Sequence, residues 1–233
     1  MVFYHGFYLF GQYGGYAIGN TLYGFFRPVQ LLFASVFILI SGFCTQLSRN
    51  VAKRGILLLC IALSLSAITI LALPKIGWDG FEDRFGILHL LSCCMLLYAL
   101  LRKAIDRVPL KIGLPVCIVL YASTCMLQSS RIGFPFASAA LPVALTQLRF
   151  LFPFGIHDAQ FYSADYFPLL PHAFVFFAGC MIGRVVCSGT IPESAYRIHS
   201  RFFAFFGRHS LLVYLLHIPA LAAVLFIIQL LRR

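Results

Sequence analysis

The chemistry open to this chain rests on histidines set inside apolar sequence. His217, in Ser210-Leu211-Leu212-Val213-Tyr214-Leu215-Leu216-His217-Ile218-Pro219, stands well inside a hydrophobic run. About nine residues into a helix, at about 1.5 Å per residue, places it roughly 13 Å deep, near a bilayer midplane. An ionisable group at that depth is costly and marks a functional site by default. Three more histidines share this setting: His5 in Tyr4-His5-Gly6, His89 in Phe85-Gly86-Ile87-Leu88-His89, and His172 after Pro168-Leu169-Leu170-Pro171. A carboxylate beside an imidazole orients the ring and raises its basicity, which suits a general base. Asp165 is the carboxylate in position to do so, although it could equally cap the helix after it, with Pro168 in the first turn. Asp83 and Arg84, just ahead of Phe85, read as markers of the interface. His5, His89 and Asp165 are therefore the candidate catalytic groups, and His172, Tyr214, His217 and Ser210 the candidate lining of a substrate path.

A second set of residues could hold anions. Arg201, Arg208 and His209 precede the last apolar run, and Arg102 and Lys103 follow the fourth. Arginine binds phosphate bidentately, so Arg208, Arg201, Arg102 and Lys103 are candidate contacts for a phosphate-bearing donor. No Gly-rich phosphate loop, HExxH, GxSxG or paired-cysteine pattern occurs. Cys44, Cys60, Cys93, Cys94, Cys117, Cys125, Cys180 and Cys187 all fall in apolar segments, where they read as small packing residues. Neither a disulfide framework nor a metal site is expected.

The elements that must position these groups are membrane helices. Of 233 residues, 61% are hydrophobic and 11% charged, against about 45–50% and about 25% in soluble domains. The fold class is all-α, a polytopic integral membrane bundle without a soluble domain, and residues 1–233 form one transmembrane domain. Apolar spans are predicted at roughly 2–18, 28–47, 55–73, 85–101, 112–127, 169–187 and 210–230, most of them near the ~20 residues a bilayer requires. The first is interrupted by Gly11, Gly14, Gly15 and Gly19 and reads as an incomplete helix. The stretch 128–168 is too long for a simple outer loop and too apolar to be solvated throughout. With Pro135, Pro142 and Pro153 it is expected at the interface or dipping into a cavity, where a broken eighth span is the alternative.

Lys and Arg in the connections set the orientation. Eleven, including Arg49, Lys53, Arg102, Lys111 and Arg184, fall on one side and seven on the other, so the first side is expected to be cytoplasmic. The N-terminus is then inside, and Asp83, His89, Asp165 and His172 lie toward the outer leaflet. The formal charge of +11 is largely this topological signal, and such residues commonly meet anionic lipid. A nucleic-acid partner is not expected, since no soluble basic domain is read to hold one. A polyanionic small molecule from the cytoplasm is the sharper reading.

Four blocks in order carry a family resemblance. They are Met1-Val2-Phe3-Tyr4-His5; Phe85-Gly86-Ile87-Leu88-His89; Asp165-Tyr166-Phe167-Pro168-Leu169-Leu170-Pro171 with Gly179 and Gly183; and Gly207-Arg208-His209-Ser210-Leu211 with Tyr214, His217 and Pro219. Together they resemble small bacterial members of the heparan-α-glucosaminide N-acetyltransferase catalytic-domain family, over nearly the whole chain. The last block is also similar to the ending of acyltransferase-3 membrane proteins. The resemblance implies transfer of an acetyl group from cytoplasmic acetyl-CoA, across a bacterial inner membrane, to an amino sugar or other envelope glycan. It also implies a catalytic histidine. The family's own histidine motif after the first helix is not found here, and His5 occupies a neighbouring position. Direct attack by the acceptor with a histidine base is expected, with a covalent acetyl-histidine relay as the variant. A transporter or flippase for a sugar or lipid-linked substrate would use similar features, but no internal repeat supports it. A structural subunit without chemistry is the third reading.

Overall fold

The computed structural model describes residues 2–76, 80–189 and 200–231. The charged residues Asp79, Glu193, Arg197, Arg232 and Arg233 lie outside the described residues. The chain divides into two compact units, Met1–Val36 with Ile191–Arg233, and Phe37–Thr190. The described helices are α1 (Val2–Tyr8), α2 (Ala17–Phe43), α3 (Val51–Ala67), α4 (Ile87–Ile105), α5 (Leu110–Thr124), α6 (Val143–Thr146), α7 (Leu169–Cys187), α8 (Arg201–Arg208) and α9 (Ser210–Leu231). Strands β1 (Arg131–Phe134) and β2 (Ala137–Ala140) form one antiparallel hairpin.

Among the described residues, six helical stretches are long and apolar enough to span a bilayer: Ala17–Leu47, Val51–Ala72, Ile87–Ile105, Leu110–Ser129, Leu169–Cys187 and Ser210–Leu231. The multi-pass helical class thus stands with six such stretches, not the seven or eight expected. The difference arises at two places. Residues 2–18 do not form one span: α1 continues through a wide turn at Leu9–Tyr13 and stops at Gly14-Gly15, where Gly15 adopts φ +70°. That left-handed conformation costs a glycine little and reverses the chain. The returning α2 then starts at Ala17 and continues through Pro28. Apolar surroundings offer a freed backbone carbonyl no water, so the helix persists around the proline. The second place is 128–168, which holds the hairpin, α6 and a tight helical turn at Arg149–Phe154 in place of a further long helix.

Unit Phe37–Thr190 packs through close helix contacts. A Cβ at Gly179 would stand 2.0 Å from the Leu39 carbonyl oxygen, and one at Gly42 would stand 2.0 Å from that of Phe176. These glycines let α2 and α7 touch backbone to backbone, as small residues do in membrane bundles. Asn50 caps α3 by accepting the Lys53 N–H at 2.9 Å. At the far end of α4 and α7, Gln46 donates to Tyr98 (2.6 Å), whose hydroxyl donates to Asp106 (3.1 Å). Arg184 donates to the carbonyls of Ile105, Asp106 and Val108, satisfying the end of α4. α4 and α7 therefore run in the same direction, and their N-termini share the opposite end. Outward faces are apolar: Phe25, Leu32, Leu57, Ile118 and Phe226 are all exposed, which suits lipid as solvent.

Candidate active site

The N-terminal ends of α4 and α7 are held together by pairing between residues 82–86 and 163–168. Ala164 N–H donates to the Glu82 carbonyl (2.8 Å), Phe167 N–H to that of Phe85 (3.1 Å), and Arg84 N–H to Ser163 Oγ (3.0 Å). The last turns of the α3 stretch close the same end. Ser66 donates to the Asp83 carbonyl at 2.5 Å, Thr69 Oγ1 accepts the Asp83 N–H at 3.2 Å, and Thr69 in turn donates to the Ser66 carbonyl. Main-chain bonds from two sides thus fix Asp83, and its side chain sits inside.

His89 is held at both ring nitrogens. Nδ1 accepts the Gly86 N–H at 3.3 Å, so a neutral ring carries its proton on Nε2, which faces Ser66 Oγ at 3.4 Å. The Ser66 hydroxyl is already donating to Asp83, leaving its oxygen to accept. His89 therefore acts as a helix-end cap and as a proton donor within a chain His89–Ser66–Asp83 carbonyl. His172 is the opposite case. Its Nδ1–H donates to the Pro168 carbonyl at 3.1 Å, which leaves Nε2 as a lone-pair acceptor. That nitrogen is buried and has no hydrogen-bond partner.

Asp83 corrects the sequence reading. It is 6% exposed and not an interface marker, whereas its neighbour Arg84 is exposed and paired with Glu82 at 3.1 Å. One carboxyl oxygen, Oδ1, is buried without a hydrogen-bond partner. Burial foremost, and then the charge of Asp165, push its pKa up to about 7, against a smaller opposing effect of the Ser163 hydroxyl. Gly86 makes room for this carboxyl: a Cβ there would lie 2.6 Å from Asp83 Oδ2 and 3.0 Å from the Asp165 carbonyl oxygen. Nothing in the one-dimensional sequence brings Ser66 and Thr69 to Asp83, so those two escaped notice and Asp83 read only as an interface marker. The signal available was an acid beside a predicted helix start in an otherwise apolar chain.

Asp165 stands half-buried at the same end, and its charge bears on both Asp83 and His89. α7 begins at Leu169 with Pro168 at the cap position, so Asp165 lies too far upstream for the capping role, and Pro168 precedes the first turn. Tyr166 donates to the Phe152 carbonyl at 2.6 Å, and burial pushes its hydroxyl well above the usual phenol range. Of the predicted groups, the structure thus brings His89, Asp165 and His172 to one end of a single unit and adds Asp83.

The other predicted residues fall elsewhere. In unit Met1–Val36 with Ile191–Arg233, α1 lies along α9, with the His5 and His217 rings 5.1 Å apart between centroids and Gly6 against Leu221. His217 is buried and its Nδ1–H donates to the Tyr214 carbonyl at 2.5 Å. Tyr4 lies edge-on to His5, and its hydroxyl donates to that of Tyr23 at 3.1 Å. Ser210 opens α9, and Arg201 and Arg208 are exposed at either end of α8. Arg102 and Lys103 are exposed in the last turn of α4, where Arg102 also pairs with Asp106 at 3.3 Å.

Among the described residues, six helical stretches long and apolar enough to span a bilayer define a polytopic helical membrane protein. Residues 1–219 match the family described as heparan-alpha-glucosaminide N-acetyltransferase, catalytic. The chain belongs to that family. No curated protein and no solved structure matches it.

Proposed function

We propose that the chain is a membrane-embedded acetyltransferase. It moves an acetyl group from cytoplasmic acetyl-CoA to an amino sugar or other envelope glycan on the outer face of a bacterial cytoplasmic membrane. Family membership over residues 1–219 is the observation that carries this reading. The buried His89, His172 and Asp83, with the half-buried Asp165 at the same end, support it, since such groups are costly within a membrane protein and serve proton transfer. The acceptor nitrogen or oxygen attacks the thioester carbonyl carbon, the C–S bond breaks, and coenzyme A leaves. The nucleophile's proton passes to a base of the cluster, while Asp165 biases the charge of its neighbours. Arg102 and Lys103 on α4 are cationic groups suited to the donor's phosphates, and Arg201 and Arg208 on α8 are a separate pair of that kind in their own unit. His5, His217, Tyr214 and Ser210 are proposed to line the acyl path in their own unit.

Binding of acetyl-CoA to the purified protein in lipid nanodiscs, together with slow release of free coenzyme A, tests the reading. Saturable binding that weakens in Arg102→Ala/Lys103→Ala protein is expected. Absence of binding by well-folded protein would contradict it.

A further inference from the structure

We propose that Asp83 is the group that takes the proton released by the acceptor nucleophile. This rests on the acetyl-transfer reading and assigns its base. Geometry narrows the candidates. His89 has no free lone pair, because Nδ1 accepts from Gly86 and the Nε2 side faces Ser66. Accepting a proton there breaks the bond that caps α4. His172, with Nδ1–H held by the Pro168 carbonyl, keeps a lone pair on Nε2 and is the competing base, which the Asp83 variants below distinguish. Asp83 is the carboxyl whose backbone is fixed by Ser66 and Thr69 while Oδ1, nine-tenths buried with its residue, has no hydrogen-bond partner. Gly86 supplies the space in which that carboxyl sits.

Asp83 thus has fixed position, an uncommitted oxygen and surroundings that let it hold or lose a proton near neutrality. The charged group that acts on it is Asp165 on the 163–168 stretch; His89 on α4 and His172 on α7 are titratable groups at the same end, and Glu82 and Arg84 in its own loop pair with each other at the surface. Ser66 and Thr69, from the α3 stretch, carry no charge. In the step, the nucleophile forms its bond to the thioester carbonyl carbon, its N–H or O–H proton moves to Asp83 Oδ1, and the C–S electrons leave on sulfur. Asp83 later returns its proton to solvent or to the departing thiolate.

The test uses full-length protein in nanodiscs, with glucosamine as acceptor, comparing Asp83→Asn, Asp83→Glu and Asp165→Asn with wild type. Wild-type kcat should rise with pH through about 7 as one proton is lost. Asp165→Asn removes the neighbouring like charge and should move that limb to lower pH, an effect that a merely structural Asp83 would not show. Asp83→Asn should keep acetyl-CoA binding and lose about 100-fold or more in kcat, with Asp83→Glu recovering part of it. Wild-type kcat in Asp83→Asn, or an unmoved limb in active Asp165→Asn, overturns the proposal. If wild type neither binds acetyl-CoA nor releases coenzyme A, the acetyl-transfer reading fails instead. A protonated-carboxyl infrared band that titrates near neutrality and vanishes in Asp83→Asn still decides whether Asp83 is the proton site. Its absence overturns the assignment by itself.

Discussion

Ser66 Oγ and His89 Nε2 lie 3.4 Å apart, joining the last turns of one membrane helix to the first turn of the next. The same hydroxyl donates to the Asp83 carbonyl at 2.5 Å, so one serine fixes both the imidazole and the loop bearing the buried acid. Ser66→Ala leaves a buried N–H and a buried carbonyl without that partner. A loss of about 1–3 kcal/mol in stability is expected, since an unsatisfied buried group costs that much. Thermal unfolding in detergent measures it, and Ser66→Thr should recover part of the loss.

Gly179→Ala should destabilise the helix unit much more than Gly24→Ala. A methyl at Gly179 meets the Leu39 carbonyl oxygen at 2.0 Å, while nothing lies within 4 Å of a methyl at Gly24. Overpacking of this kind costs about 1–3 kcal/mol or more, whereas the Gly24 change should stay within about 0.5 kcal/mol. Denaturant titration of the two variants side by side gives the comparison.

Gly86→Ala should damage activity with coenzyme binding intact. The added methyl would lie 2.6 Å from Asp83 Oδ2, so the carboxyl must move from its place between Ser163 and the α4 start. A fall in kcat of about tenfold or more, at unchanged affinity for acetyl-CoA, is expected from transfer assays.

Stability should depend on pH through Asp83. Its folded pKa of about 7 lies above the ordinary carboxylate value of 3.8, so between those values the folded protein holds a proton that the unfolded chain has released. Stability from this group is therefore greatest at the acid end and falls as pH rises from about 4 to about 7. Asp83→Asn should flatten that slope, as unfolding midpoints collected across the window will read.

The sequence made five of the predicted spans legible at nearly the right place, because long apolar runs bounded by Arg, Lys and proline have few alternatives in a membrane. It also picked His89, Asp165 and His172, which the fold does gather. The start of α2 was hidden because Gly15 turns the chain inside an apolar run, and apolar content alone does not show a reversal. The 131–140 hairpin was hidden for a related reason: a short apolar segment fits strand or broken helix equally. Asp83 was misread because its burial comes from Ser66 and Thr69, residues distant in sequence that only the packing of α3 against α4 brings to it.

Transfer of isotope-labelled acetyl from acetyl-CoA to glucosamine by the purified protein in nanodiscs, read by mass spectrometry, tests the central claim most directly. Labelled N-acetylglucosamine formed by wild type and lost in Asp83→Asn is the predicted result. Folded wild type that binds no acetyl-CoA and yields no acetylated acceptor would contradict the account.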